Sequence, residues 1–182
     1  METPARGFTL IELLVTIAVM AIVLGFGVPG FQSVVNGNRL AVAANEAVAN
    51  LQAARMEAIR RNRRVVVCAS SNANAGTAAT CANSDIDGWI TFVDRDRSNA
   101  FSAGDTLLRN TTVDRTLEIG GTMTVVYRSD GLARDTAGNL LNGAVRIAID
   151  TNRPVRNVRC VGIRTSSGVA VQVPAANDAA CS

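Results

Sequence analysis

The chain has 182 residues, a formal net charge of +3, 48% hydrophobic and 4% aromatic residues, and no histidine. Without histidine the usual general base and the commonest metal ligand are missing, which excludes histidine-based catalytic triads and weakens the case for any enzyme. The charge is too mild to argue for a nucleic-acid binder by itself, and so few aromatics leave little to stack on bases.

The first elements lie in residues 1–31. A short polar leader, residues 1–7, ends at Gly7, and residues 8–31 are mostly apolar, with Glu12 as their only charged residue. At about 1.5 Å per residue that run would span roughly 36 Å as a helix, enough for a bilayer core. It fits a secretory signal peptide poorly. Only Arg6 precedes it as a positive charge, Glu12 interrupts it, and no small-x-small cleavage site follows cleanly. A plain membrane anchor leaves Glu12 unexplained, because a carboxylate in hydrocarbon is costly and usually has a dedicated partner.

Pro29, between Gly27 and Gly30, predicts a kink or a locally melted turn in the helix, not its end. From Gly37 to about Asn62 the pattern becomes amphipathic. Leu40, Ala44, Ala47, Val48, Leu51, Ala54, Ala58 and Ile59 recur at steps of three or four, so one helix is predicted from about Thr9 to Arg61. Residues 32–64 form its amphipathic half, whose apolar stripe is expected on a sheet, with Glu46 and Asn50 facing solvent or a neighbour. Arg60, Arg61, Arg63 and Arg64 suit a helix C-terminus, where partial negative charge accumulates; an inter-subunit contact or a polyanion patch are the alternatives.

Residues 65–182 read as a β-rich unit. Val65, Val66 and Val67 lead a strand into Cys68, and Ser70 to Asn83 reads as a polar surface loop. GWITFVDRD is a strand with Trp89, Thr91 and Val93 on one face and Ile90 and Phe92 on the other; Trp89 is expected in the core. LLRNTTV, LEIGG and TMTVVYRSDG follow as short strands, with Asp130-Gly131 as a turn. VRIAID, RCVGIRT and GVAVQV are the last three strands, with Ser166, Ser167 and Gly168 turning between the final two. The fold class is α+β: a long N-terminal helix packed on an antiparallel β-rich head.

Four cysteines, Cys68, Cys81, Cys160 and Cys181, allow three connectivities. Cys68 with Cys81 and Cys160 with Cys181 is favoured, because each pair brackets a polar, loop-like stretch. The 79-residue gap between Cys81 and Cys160 does not suit a zinc site. Asp94, Asp96, Ser98, Asn99 and Asp105 resemble a calcium loop superficially. The central glycine and the position-12 glutamate are missing, and Arg95 and Arg97 add positive charge. The expectation is a solvated turn with local ion pairs, with no metal and no cofactor.

GFTLIELLVTIAV, residues 7–19, resembles the processing and assembly motif of type IV pilins and type II secretion pseudopilins. The resemblance implies cleavage after Gly7 by a prepilin peptidase, methylation of the new amine on Phe8, and a Glu12 that neutralises the amine of a neighbouring subunit. Opposite charges are tolerable together in low dielectric and expensive apart. CANSDIDGWITFVDRDRSNAFSAGDTLLR and VRCVGIRTSSGVAVQV extend the likeness to the GspH/FimT-type head domain, with FimU-like and FimT-like minor pilins as the nearest kind. That resemblance implies an inner-membrane subunit with a periplasmic head, assembled into a pilus. Its implied partners are other minor pilins, the major pilin and the prepilin peptidase, and the implied role is priming assembly at or near the tip. A type II secretion pseudopilin and a DNA-uptake subunit are the alternatives.

DNA binding is disfavoured. The family's Gly-Arg-x-Arg element falls on Gly168, Val169, Ala170 and Val171, so valine replaces both arginines. Arg146, Arg153, Arg156, Arg159 and Arg164, with Asp150 as the one acid among them, remain a candidate polyanion or partner patch. The stretch from Asp85 to Asp135 carries nine acids against six arginines, so the head is charge-asymmetric and docking between subunits is the simpler use. No catalytic motif is present.

Overall fold

A computed structural model describes residues 7–165, 168–174 and 181, the side chains of residues 26–29 apart. Helix α1 runs from Leu10 to Arg61, 52 residues and about 78 Å long. Both ends are set by sequence. Thr9 and Glu12 form a reciprocal capping box at the start. Asn62 ends the helix in the left-handed conformation (φ 49°), and its N–H reaches back to the carbonyls of Ala58 and Ile59. The helix passes through Pro29 without a break, so the expected melted turn does not occur.

Only the second half of α1 packs on the head. Leu40, Ala43, Ala44, Ala47, Leu51, Ala54 and Ala58 are buried, and the run of alanines lets the strands approach closely. Val48 is partly buried, whereas Ile59 leaves the stripe at 45% exposure and leans on Gly131. Asn50 corrects the sequence reading: it is 2% exposed, not solvent-facing. Position 50 lies three residues after Ala47 and four before Ala54, on the packed flank, where Thr111 donates its hydroxyl to Asn50 Oδ1 at 3.3 Å. Glu46 is half-buried.

Among the described residues, nine strands form two antiparallel sheets. They are β1 (Val65–Ser70), β2 (Gly88–Val93), β3 (Thr106–Thr112), β4 (Leu117–Gly121), β5 (Thr124–Tyr127), β6 (Ala133–Arg134), β7 (Gly143–Ile149), β8 (Val158–Arg164) and β9 (Gly168–Gln172). The first sheet has the order β3-β2-β1-β5-β6 and the second β4-β7-β8-β9. Strand β6 and a 3-10 segment over Ala73–Ala78 were not foreseen from sequence. The expected turn at Ser166 and Ser167 lies outside the described residues.

The main core lies between α1 and the sheets. Val65, Val67, Trp89 and Val125 enter it from the first sheet, and Val145, Ile147, Val161 and Ile163 from the second. The opposite face of the first sheet is also covered. Val66, Cys68, Ile90, Phe92 and Val126 pack under Ala73, Ala79 and Phe101. All six residues of β1 and of β2 are buried in consequence, which is why both read as near-continuous apolar runs. The Cys68–Cys81 disulfide fastens the covering loop, and Cys160–Cys181 ties the C-terminal region to β8. Closing loops of 13 and 21 residues limits the unfolded chain by roughly 3 kcal/mol each in the loop-entropy picture.

Candidate assembly site

The N-terminal motif presents itself without any cover from the head. Phe8 is 86% exposed and Leu10 76%, and the most apolar 18-residue window of α1, with mean hydropathy 2.5, is 0% buried. Glu12 folds back on its own helix start. Its Oε2 accepts the Thr9 backbone N–H and the Thr9 hydroxyl, each at 2.9 Å, while its N–H donates to Thr9 Oγ1 at 3.3 Å. The carboxylate therefore has hydrogen bonds but no counter-charge among the described residues. Gly7 precedes this cap in open space.

At the other end of α1 the arginine run divides. Arg60 and Arg61, three and four residues on from Glu57, both pair with it, as neighbours on a helix face do. Arg64 turns inward. Its Nε lies 2.9 Å from Asp94 Oδ2, not aimed for a hydrogen bond, and its Nη2 donates to Asn99 Oδ1. Asp94 is only 3% exposed. Burial raises its pKa above 3.8, against the opposing pull of the Asn99 amide and Arg64.

Asp94, Asp96 and Asp105 bring one carboxylate oxygen each within 4.8 Å of the others. Asp96 is exposed, as in a solvated turn, whereas Asp94 is buried beside Arg64. The loop supplies its own donors. Asp96 accepts the Ser98 amide at 2.9 Å, and Asp105 accepts the amides of Arg95 and Ser102, also at 2.9 Å. Arg64 already provides the positive charge that a cation would bring.

The five arginines from 146 to 164 are not one patch. Arg146 stands on the outer face of β7, in register with Cys160. Arg164 closes β8, five residues and about 17 Å along the strand from Arg159. Arg153, Arg156 and Arg159 stay together at the β7–β8 connection. Arg159 Nη1 donates to the Arg156 carbonyl at 2.9 Å. Burial, and then the neighbouring Arg156, lower the Arg159 pKa. Sequence reasoning missed what fastens this connection: Asn36 Nδ2 of α1 donates to the Arg153 carbonyl at 2.9 Å. A polar residue just past the apolar run was the only available signal.

A family described as type II transport protein GspH matches residues 43–168, from the packed half of α1 to the start of β9. The chain belongs to that family. The prokaryotic N-terminal methylation motif matches residues 3–28, which hold Gly7, Phe8 and Glu12. No curated protein sequence matches the chain. Two crystal structures of the type IV minor pilin FimU of Pseudomonas aeruginosa strain PAO1 share the fold. One superposes with a TM-score of 0.52 at 19% identity, over 75% of this chain and 98% of that one. The other gives 0.54 at 18% identity, over 76% and 95%.

As a GspH-family chain, the protein has an α+β pilin fold and is structural, not catalytic. The one long apolar helix among the described residues is consistent with a single-pass membrane anchor, and the family implies partners in pilus-type assembly machinery. On β9, Val169 is partly buried against the core and Val171 is 39% exposed, so neither position carries a cation.

Proposed function

We propose that the chain is a minor subunit of a type IV pilus, incorporated at or near the tip, where it helps to prime filament assembly. The observation that carries this reading is the half-helix that the subunit leaves uncovered, from Leu10 to Leu24, with a carboxylate near its start. A surface of that kind is costly in water and stable only in lipid or against other helices. The likeness to a minor pilin of known structure supports the pilus over other machines of the same build.

In this scheme a prepilin peptidase cleaves after Gly7 and the amine of Phe8 is methylated. The anchor holds the subunit in the inner membrane with its head in the periplasm. On assembly Glu12 exchanges the Thr9 donors for the amine of a neighbouring subunit. That gain is largest where lipid and packed helices exclude water. The head chooses the partners, namely other minor pilins and the major pilin.

The family description favours a second reading, a minor pseudopilin of a type II secretion machine. Deleting the gene and restoring it separates the two. Loss of surface filaments with protein export intact supports the pilus reading. Loss of export with filaments intact refutes it in favour of the pseudopilus.

A further inference from the structure

The connection between β7 and β8 has a position that helix geometry fixes. Leu10 to Phe31 covers about 33 Å, slightly more than a hydrocarbon core of about 30 Å. Asn36 lies five residues further on, about 7.5 Å beyond the end of that span. One headgroup layer occupies roughly 5–7 Å outside the hydrocarbon. The connection is fastened just outside that layer, within an arginine side chain's reach of it, by the hydrogen bond from Asn36 to the Arg153 carbonyl, 2.9 Å long.

Its chemistry suits that height. Arg153 and Arg156 are exposed, and between them Val155 is 73% exposed. Arg159 stands half-buried behind them. None of the three arginines forms an ion pair among the described residues. The nearby Arg39 and Asp114 compensate each other at 3.4 Å. Asp150 is the only acid within the connection, so two positive charges remain unbalanced. Arg156 stands close enough to Arg159 to add to the lowering that burial causes there, a poor arrangement for a lone subunit and a good one for binding phosphate.

We propose that Arg153, Arg156 and Arg159 bind the phosphates of anionic phospholipids while the subunit waits in the membrane, with Val155 entering the headgroup layer between them. This rests on the membrane reading above and adds the surface that sets the height and rotation of the head. Long arginine stems reach down along apolar surface while their heads stay hydrated, and basic residues next to a span are drawn to anionic lipid. A second copy of the chain is a poor occupant. The distal end of the head is also basic, with Arg63, Arg64, Arg95, Arg97 and Arg128 around one concavity and Asp94 as its only acid. End-to-end stacking of two copies would set arginine against arginine.

The test is amide hydrogen exchange on the full chain in nanodiscs, one set of phosphatidylcholine and one with phosphatidylglycerol added. Exchange of residues 10–31 reports insertion, and exchange of residues 150–157 reports the loop. The expected result is protected 10–31 in both sets, with the loop slowed about tenfold in the anionic set only. In Arg153→Gln/Arg156→Gln, which leaves Arg159 and its carbonyl contacts in place, that slowing should vanish. Equal loop exchange in both sets, with 10–31 protected, overturns the lipid contact and leaves the membrane reading standing. Unprotected 10–31 overturns both. Loop protection by added duplex DNA in zwitterionic discs, without any effect of anionic lipid, makes the loop a nucleic-acid surface and overturns the proposal.

Discussion

The two halves of α1 share one continuous helix and have opposite surroundings. From Leu10 to Leu24 the large apolar side chains are more than half exposed, uncovered by the described residues of the head. From Leu40 to Ala58 a stripe of leucine and alanine is buried to within a few per cent. Hydrophobicity alone therefore does not tell which half belongs to the fold. Periodicity does: the first half is apolar all round, as a membrane or filament-core helix is, and the second is apolar on one side only. The head accounts for the stability of the second half, and lipid or other subunits must account for the first.

The contrast can be broken most strongly at its packed end. Leu51→Ala should lower the stability of the head by about 3 kcal/mol in denaturant unfolding, because a fully packed side chain leaves a cavity. Leu14→Ala should leave the same transition within about 0.5 kcal/mol. Equal losses would mean that the apolar half also packs on the head.

Arg64→Ala comes next, at about 2–3 kcal/mol, since it leaves Asp94 buried without its partner. The loss should shrink as pH falls. The folded-state pKa of Asp94 lies above 3.8, so its uncharged form suits the fold, and that contribution is present below 3.8 and lost as pH rises through the folded value. Urea titrations at pH 4 and pH 7 would show it.

A smaller effect separates the halves by alkali. Burial pushes the Tyr127 pKa up to about 12 from 10.0. The folded head then holds a proton that the unfolded chain releases, so stability present below pH 10 falls by roughly 2 kcal/mol as pH approaches 12. Tyr127→Phe should flatten that slope, and the membrane-facing half of α1 should show none. Smallest is Thr9→Ala. Loss of the cap should cost about 1 kcal/mol, seen as faster exchange of the first helical amides with no change in head unfolding.

The sequence made much of this legible because long signals average over many residues. The helix, its C-terminal end near Arg61, the opposite facing of Trp89 and Phe92 on β2, and most of the strands follow from periodicity and turn residues. Asn50 was misplaced because a polar side chain was assigned by type, although its position between Ala47 and Ala54 puts it on the packed flank. Strand β6 has two residues, too few for any alternation to show. The arginines from 146 to 164 looked like one patch because sequence proximity hides strand length: β8 carries Arg159 and Arg164 to different ends. The Asn36 contact links residues 117 positions apart and has no local trace.

The account rests above all on Glu12 acting between subunits and not within one. The most direct measurement compares Glu12→Ala with the unaltered chain in the inner-membrane fraction and in sheared filaments. The account predicts a variant that remains in the membrane at its usual level and is absent from filaments. A variant that enters filaments as readily as the unaltered chain would contradict it, because the carboxylate would then serve only as the cap of its own helix.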